Sequence, residues 1–266
     1  MRLQAQGYDR AKAVFLAAVC GQTYTQYDNP DGTFVLPAAY DVVEAFKGQS
    51  FDGVREWFGF ILESKHDAIV AFRGTSSTSD WVSDAMASQV KFKYMRDSGL
   101  VHRGFNAIYD SMRGVILAAL RKVSPGKRLY ITGHSLGAAI ASLCALDVSA
   151  NTKFRSPYIY TFGSPRVGDS AFAGTYAARI GSSYRIHNPY DAVTHIPPFV
   201  FKLPKQETTY YYSHTRHPVP VPFQKGALSA NHVLGSYFAE LAKREPAYTE
   251  RMCKANPGLC PTSAYS

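Results

Sequence analysis

The chain has 266 residues, of which 46% are hydrophobic and 18% are charged, a balance typical of a globular protein with a sizeable core. Its formal net charge is +9, but the basic residues are dispersed, so the charge favours solubility and argues against a nucleic-acid site. No apolar run approaches the roughly 20 residues that a membrane span needs, and no Cys- or His-rich spacing indicates a metal, so we expect neither a membrane span nor a metal or cofactor.

Helical and strand patterns alternate along the chain. The predicted helices cover residues 8–20, 104–123, 138–148, 170–180 and 230–243, and the predicted strands cover residues 57–63, 68–72, 129–132, 158–162 and 184–187. The strand over 68–72 is almost continuously apolar, which indicates a central position. This alternation predicts an α/β fold with a mostly parallel sheet and helices on both faces, in a single domain over 1–266. Residues 189–222 are rich in Pro and Tyr and predict irregular structure with a few late strands.

The N-terminus and the cysteines bear on localisation. Polar residues and the lack of a small-residue cleavage site favour a first helix over a signal peptide, so a secreted form would have lost its signal segment. Cys253 and Cys260 flank a short loop, and we predict a local disulfide between them. Cys144 is predicted to be a buried free thiol, whereas Cys20 fits either state.

The pentapeptide Gly-His-Ser-Leu-Gly at 133–137 lies between a predicted strand and an Ala-rich predicted helix. A G-x-S-x-G sequence in that context is typical of a nucleophile elbow, whose serine stands at the tip of a strained turn with an exposed hydroxyl. Ser135 is therefore the candidate nucleophile. The alternative interpretation is an ordinary turn whose serine caps the following helix.

A nucleophilic serine needs a histidine to accept its proton and a carboxylate to orient that histidine. In α/β-hydrolases both follow the serine along the chain, with the acid first. Of the three later aspartates, Asp147 lies within a helix and Asp169 is placed to cap one. Asp191 follows the end of a predicted strand, where active sites gather in parallel sheets, and is our candidate acid.

Four histidines follow Asp191. His195 comes only four residues later, which is too close to reach over the serine. His214 and His217 lie in a Tyr- and Pro-rich segment and stay as fallback candidates. His232 lies at the start of the last predicted helix and is the preferred base.

An oxyanion hole needs two backbone N–H groups directed at the developing negative charge. One is expected from Leu136, directly after the nucleophile. The other is expected from Thr75, in the loop that leaves the central strand, and its hydroxyl offers a further donor.

The chain resembles the class 3 lipases, a family of α/β-hydrolases typified by filamentous-fungal triacylglycerol lipases. The matching segments, spread over roughly residues 57–240, are Phe-Arg-Gly-Thr at 72–75, Asp-Trp at 80–81, Val-His-Arg-Gly-Phe at 101–105, Thr-Gly-His-Ser-Leu-Gly at 132–137, Thr-Phe-Gly-Ser-Pro-Arg-Val-Gly at 161–168, Asp-Ala-Val-Thr-His-Ile-Pro-Pro at 191–198 and Asn-His at 231–232. The motif ends in Gly-Ala-Ala at 137–139, where the family often has a second glycine. This departure and the different disulfide framework suggest a bacterial or otherwise distant member.

This resemblance implies the same triad and oxyanion residues and adds a lid. In the family a short helix covers the site until a lipid interface is met, and here it would span about 77–88, with Trp81 on its apolar side. Asp84 would hydrogen-bond the Thr75 hydroxyl. The resemblance also implies that Val193 and Val233 line the acyl groove and that Tyr24 lies on the oxyanion side.

We therefore expect a triacylglycerol lipase that acts on lipid esters at an oil–water interface without spanning a membrane. The alternatives on the same scaffold are an esterase for soluble esters and a phospholipase. An alternative of another class is a lipase-like binding protein without catalysis. We expect secretion, with a cytoplasmic location as the alternative.

Overall fold

The computed structural model describes residues 7–75, 87–202, 207–215 and 217–261. A seven-stranded sheet in the order β1-β2-β3-β6-β7-β8-β11 forms its centre, and β4–β5 and β9–β10 form two small two-stranded sheets. The strands are β1 Asp41–Gln49, β2 Arg55–Glu63, β3 Asp67–Phe72, β4 Gln89–Lys91, β5 Leu100–His102, β6 Arg128–His134, β7 Tyr158–Phe162, β8 Ser182–His187, β9 Val200–Lys202, β10 Thr209–Tyr211 and β11 Pro218–Pro220.

Two groups of helices cover the two faces of the large sheet. The described helices are α1 Arg10–Asp28, α2 Arg103–Lys122, α3 Leu136–Asn151, α4 Ser170–Arg179, α5 Leu234–Ala242 and α6 Pro246–Ala255, with a 3₁₀ turn at Ala192–His195. Helices α2, α3 and α4 contribute to one hydrophobic core, and α1, α5 and α6 contribute to the other. Among the described residues, no helix is long and apolar enough to cross a membrane.

The expected mostly parallel sheet is confirmed, with an antiparallel addition at one end. Strands β3, β6, β7, β8 and β11 pair in parallel, whereas β1, β2 and β3 pair antiparallel. Every residue of β3 is buried, as expected for a strand covered on both faces. The carboxyl ends of β6, β7 and β8 therefore lie side by side, which brings the segments that follow them to one edge of the sheet.

Some elements differ from the sequence prediction. Strand β1 and helix α6 were not predicted, because β1 has only two buried residues, Phe46 and Gly48, and α6 has only one, Met252. Helix α1 continues to Asp28, beyond the predicted end at residue 20, and the predicted helix over 230–243 begins only at Leu234.

The cysteine predictions agree with the structure. Cys253 and Cys260 form a disulfide, with their Cα atoms 5.7 Å apart. Cys20 and Cys144 are free and buried.

Candidate active site

Ser135 occupies a sharp turn between β6 and α3. Its φ angle is +58°, a left-handed value that non-glycine residues seldom adopt, and its N–H donates to the Phe162 carbonyl at 3.0 Å. A Cβ atom at Gly133 would overlap the backbone of Gly137, so the bend requires glycine there. The strained elbow predicted from the sequence is therefore present. Ser135 is nevertheless buried, in contrast to the expected exposed hydroxyl, and Gly74 approaches its Cβ closely.

The structure brings Ser135, His232 and Asp191 together in one hydrogen-bonded row. His232 Nε2 lies 2.8 Å from Ser135 Oγ, and His232 Nδ1 lies 2.8 Å from Asp191 Oδ2. Since the carboxylate can only accept, Nδ1 carries the proton of the neutral ring and Nε2 presents its lone pair to the serine hydroxyl. This is the arrangement in which a histidine can remove the serine proton.

Asp191 is fully buried and its carboxylate is surrounded by donors. Oδ1 accepts from the Val193 N–H at 2.9 Å, and Oδ2 accepts from the Tyr237 hydroxyl at 2.7 Å as well as from His232. These bonds offset the cost of burying the charge and fix the direction of the carboxylate. Burial and the neighbouring carboxylate raise the pKa of Tyr237 well above its ordinary value, so it remains a donor.

Gly163 allows Asp191 and His232 to approach the end of β7 closely. Its φ angle is +57°, and a Cβ atom there would lie 3.0 Å from Asp191 Oδ2 and 3.2 Å from the His232 ring. Glycine at the end of β7 therefore allows both a left-handed bend and a close approach.

The oxyanion candidates flank Ser135. Leu136 is the first residue of α3, so its N–H has no acceptor within the helix. On the other side, a Cβ atom at Gly74 would lie 2.9 Å from Ser135 Cβ, which places the Gly74–Thr75 peptide against the serine.

Arg73 fixes the orientation of that peptide. Its guanidinium is buried, pairs with Glu56, and donates to the carbonyl of Trp57 at 3.1 Å and of Gly74 at 2.8 Å. The Gly74 C=O and the Thr75 N–H belong to one planar trans peptide and point in opposite directions. The Thr75 N–H is consequently held facing away from the guanidinium.

Behind the catalytic candidates lies a contact that sequence reasoning missed. The His134 ring bridges the Tyr24 hydroxyl, 2.6 Å from Nδ1, and the His232 carbonyl, 2.7 Å from Nε2. A carbonyl only accepts, so Nε2–H is the donor and Nδ1 accepts from Tyr24. Burial and the neighbouring His232 lower the pKa of His134 well below its ordinary value, which keeps the ring neutral. The expected Tyr24 thus lies beside His134 and near Gly74, and its role at the site stays a prediction.

The structure describes only some of the remaining predicted site residues. Val193 is buried and packs in one core, and Val233 lies at the N-terminus of α5, directly after His232. Their acyl-groove role stays a prediction. Trp81, Asp84 and residues 77–86 of the lid predicted over about 77–88 lie outside the described residues.

The competing acid and base candidates have other contacts. Asp147 is buried in an ion pair with Arg113, and Asp169 caps α4 by accepting from the Phe172 N–H at 2.8 Å. His195 Nε2 bonds the Pro189 carbonyl, and His214 Nε2 bonds the Thr194 carbonyl. The His217 carbonyl accepts from the Arg185 N–H at 3.1 Å. In the described ranges, no group of three or more His, Cys, Asp or Glu side chains is placed to hold a metal ion.

A parallel sheet with a serine elbow, and with an acid and a histidine on the loops of its carboxyl edge, defines the α/β-hydrolase class. Comparison with known proteins narrows this class. The family described as lipase (class 3) matches residues 69–201, which is half of the chain, and the chain belongs to that family.

Individual proteins that are similar to this chain are also named as lipases. The chain is 33% identical over 186 residues to a lipase of Rhizomucor miehei, covering 64% of this chain and 50% of that protein. It is 31% identical over 142 residues to secreted mono- and diacylglycerol lipase 1 of Fusarium solani, covering 52% of this chain and 41% of that protein. The chain thus spans about half the length of the curated relatives it matches.

The fold is similar to that of solved lipases. The crystal structure of the lipase from Rhizopus microsporus var. chinensis matches with a TM-score of 0.61 at 25% identity, covering 77% of this chain and 79% of that one. This likeness confirms the α/β-hydrolase fold predicted from the sequence.

Proposed function

We propose that the protein hydrolyses carboxylic esters of lipids, as a triacylglycerol lipase, through an acyl-enzyme intermediate. The observation that carries the proposal is the position of His232 between Ser135 Oγ and Asp191, at 2.8 Å from each. The membership of the class 3 lipases supports lipid esters as the substrate class.

In the proposed reaction, His232 Nε2 takes the hydroxyl proton as Ser135 Oγ attacks the ester carbonyl. The imidazolium that forms is stabilised by the buried Asp191 carboxylate. The tetrahedral intermediate collapses to the acyl-enzyme when His232 protonates the departing alcohol. Water, activated by the same histidine, then releases the fatty acid.

The negative charge that develops on the substrate oxygen needs donors that are already in place. We assign this role to the N–H groups of Leu136 and Thr75, which flank Ser135. The first is a free amide of a helix N-terminus, where the helix dipole also favours negative charge. The second is oriented through the Arg73 contact with the Gly74 carbonyl.

The lid and the acyl groove belong to the same proposal. We place a lid at about 77–88, with Trp81 on its apolar face and Asp84 near the Thr75 hydroxyl, and we place Val193 and Val233 along the acyl chain. We also propose that the protein is secreted. The disulfide between Cys253 and Cys260 favours an oxidising compartment, and the Fusarium relative is named as a secreted lipase.

The decisive experiment compares wild type with Ser135→Ala on triglycerides, soluble p-nitrophenyl esters and phospholipid vesicles. We expect hydrolysis by the wild type, highest on emulsified triglyceride, and only background rates for the variant, with an unchanged circular dichroism spectrum. Preference for soluble esters or for vesicles would instead favour the esterase or the phospholipase. Full activity in Ser135→Ala, or no reaction of the wild type with an organophosphonate serine probe, would refute a serine hydrolase.

A further inference from the structure

A group of basic side chains lies beside Asp191 and has no part in the proposed reaction. Arg185 and His187 are two residues apart on β8 and therefore point to the same face of the sheet. Arg166, from the segment after β7, and His214, from the segment after β10, lie close enough to act on them electrostatically. We call these four residues the basic cluster.

Arg185 is the central member of the basic cluster. It is only 8% exposed, and its Nε is buried without a hydrogen-bond partner. Among the described residues, no ion pair joins Arg185 or Arg166 to a carboxylate. Its electrostatic neighbours are Arg166, a second cation, and Tyr237, which is uncharged at neutral pH. Burial lowers the pKa of Arg185 to about 10, so it stays charged at neutral pH. A buried charge without a partner is strongly unfavourable.

Each of the two histidines in the cluster leaves one ring nitrogen unused. Nδ1 of His187 and Nδ1 of His214 are both buried without a partner. His214 is anchored by its other nitrogen, because Nε2–H donates to the Thr194 carbonyl at 2.7 Å. Protonation would turn its Nδ1 into a donor. Burial and the nearby arginines lower the pKa of His187 to about 4 and of His214 to about 3, so both rings are neutral at pH 7.

Arg166 has donors to spare. Its Nη1 contacts the carbonyls of His195 and of Pro197, the latter at 2.8 Å, which fixes the guanidinium at the rim of the cluster. A guanidinium carries five N–H donors, and one anchored nitrogen leaves the others for a further acceptor. The cluster thus combines two fixed cations and two rings that become donors when protonated.

We propose that the basic cluster is a binding site for a small oxyanion, of the carboxylate, sulfate or phosphate class. Such an anion supplies a negative charge, and acceptor oxygens for Arg185 and for the remaining donors of Arg166, in the geometry that guanidinium groups favour. It also converts the mutual repulsion of the cluster into attraction. Other charged or titratable groups that face the cluster are His195 and Asp191, from the loop after β8, and Tyr237, from α5. The site does not depend on the proposed lipase activity.

Binding of the anion should be coupled to proton uptake by the two histidines. A bound anion favours the charged forms of His187 and His214, so binding takes up protons and tightens as the pH falls. The proposal therefore predicts two linked observations: saturable anion binding that depends on Arg185, and histidine titrations that shift when the anion is present.

The first test is isothermal titration calorimetry with sodium sulfate at constant ionic strength, for wild type, Arg185→Gln and the control Arg96→Gln. Arg96 is chosen because its side chain is 96% exposed. We expect saturable binding to wild type and to the control, and roughly tenfold or greater weakening in Arg185→Gln, as for loss of a charge-assisted pair. Phosphate, formate and octanoate replace sulfate in parallel arms, and tighter binding of the carboxylates would identify a fatty-acid product as the source of the anion. Absence of saturable binding for every anion, or equal affinity in Arg185→Gln, would overturn the proposal.

The second test uses the unmodified chain and thus avoids any folding defect. NMR titration of the histidine rings, with and without sulfate, follows the pKa values of His187 and His214. We expect sulfate to raise the pKa values of both histidines by about one or more, and chloride at the same ionic strength to leave them unchanged. Midpoints that do not respond to any oxyanion would overturn the proposal independently of the variants.

Discussion

The bridge from Tyr24 through His134 to the His232 carbonyl leads to a sharp prediction for Tyr24→Phe. The substitution removes one hydroxyl and leaves the ring in place, but it deprives His134 Nδ1 of its donor. The Nδ1 contact is 2.6 Å long, and the His134 ring is buried. Leaving a buried acceptor unsatisfied costs about 1–3 kcal/mol, and we expect about 2 kcal/mol here. With a urea slope of about 3 kcal/mol/M, the unfolding midpoint should fall by roughly 0.7 M.

The same change should slow catalysis without weakening substrate binding. His134 donates to the carbonyl of the residue proposed as the base, so a loosened His134 allows His232 to shift relative to Ser135. A misplacement of about 1 Å costs on the order of 100-fold in rate, and a smaller shift should cost about tenfold. Because no contact with substrate is removed, KM should stay within about twofold, and the loss should fall on kcat.

Urea unfolding followed by circular dichroism and steady-state hydrolysis of a soluble p-nitrophenyl ester measure the two effects. Tyr211→Phe is the matched control, since this tyrosine is 52% exposed and should tolerate the loss of its hydroxyl. If Tyr24→Phe matches the control in both stability and kcat, the bridge neither stabilises the fold nor positions His232. A loss of stability with normal kcat would leave the bridge as a purely structural contact.

Three further predictions test other parts of the site. Gly163→Ala should lower the free energy of unfolding by about 1–2 kcal/mol, because alanine disfavours the left-handed backbone at this position. It should also lower kcat at least about tenfold, because the added Cβ would press on Asp191. A wild-type urea midpoint and a wild-type rate of ester hydrolysis would contradict this. Arg73→Lys should lower kcat about 100-fold with little change in KM, since a lysine cannot fix the Gly74 carbonyl and pair with Glu56 at once; an unchanged kcat would exclude an orienting role for Arg73. Stability should fall as the pH drops from about 6.5 towards 4, because the unfolded chain takes up protons that the fold excludes, by up to about 1.4 kcal/mol per pH unit for each buried histidine; a urea midpoint independent of pH over this range would refute it. The histidines concerned are His134, His214 and His187, the last with a smaller share because it is partly exposed.

The sequence was most informative where a local pattern has one structural solution. The glycines around Ser135 and the flanking strand and helix predicted the elbow. The order of serine, acid and histidine along the chain limited the candidates, and their positions relative to the predicted elements selected Asp191 and His232, which the structure brings within hydrogen-bond distance. The buried strand β3 was likewise predictable, because a continuous apolar run between turns indicates a strand covered on both faces. The antiparallel β1 was missed because its few buried residues give no clear period.

Contacts between residues that are far apart in the chain could not be predicted from the sequence. His134 stands next to the nucleophile, yet its partners Tyr24 and His232 are 110 and 98 residues away. Nothing in the local pattern distinguishes a histidine that bridges two elements from one that merely fills the turn. The resemblance to a family pointed to Tyr24, but only the structure supplies the route by which its hydroxyl reaches the base.

The basic cluster shows why dispersed charge in a sequence is a weak guide to where charge lies. In β8 the alternation Tyr-Arg-Ile-His normally predicts one buried and one solvated face. Here both faces of the sheet are covered at this strand. Tyr184 and Ile186 pack in a hydrophobic core, and Arg185 is buried beside the segments that carry Arg166 and His214. A cation in a strand of such a sheet must find an anion or remain unfavourable. Alternating polar residues at the carboxyl end of a strand that is covered on both faces therefore indicate a binding function rather than a solvated edge. Because Arg185 carries a buried charge without an ion-pair partner among the described residues, Arg185→Gln should unfold at an equal or higher urea concentration than wild type in oxyanion-free buffer.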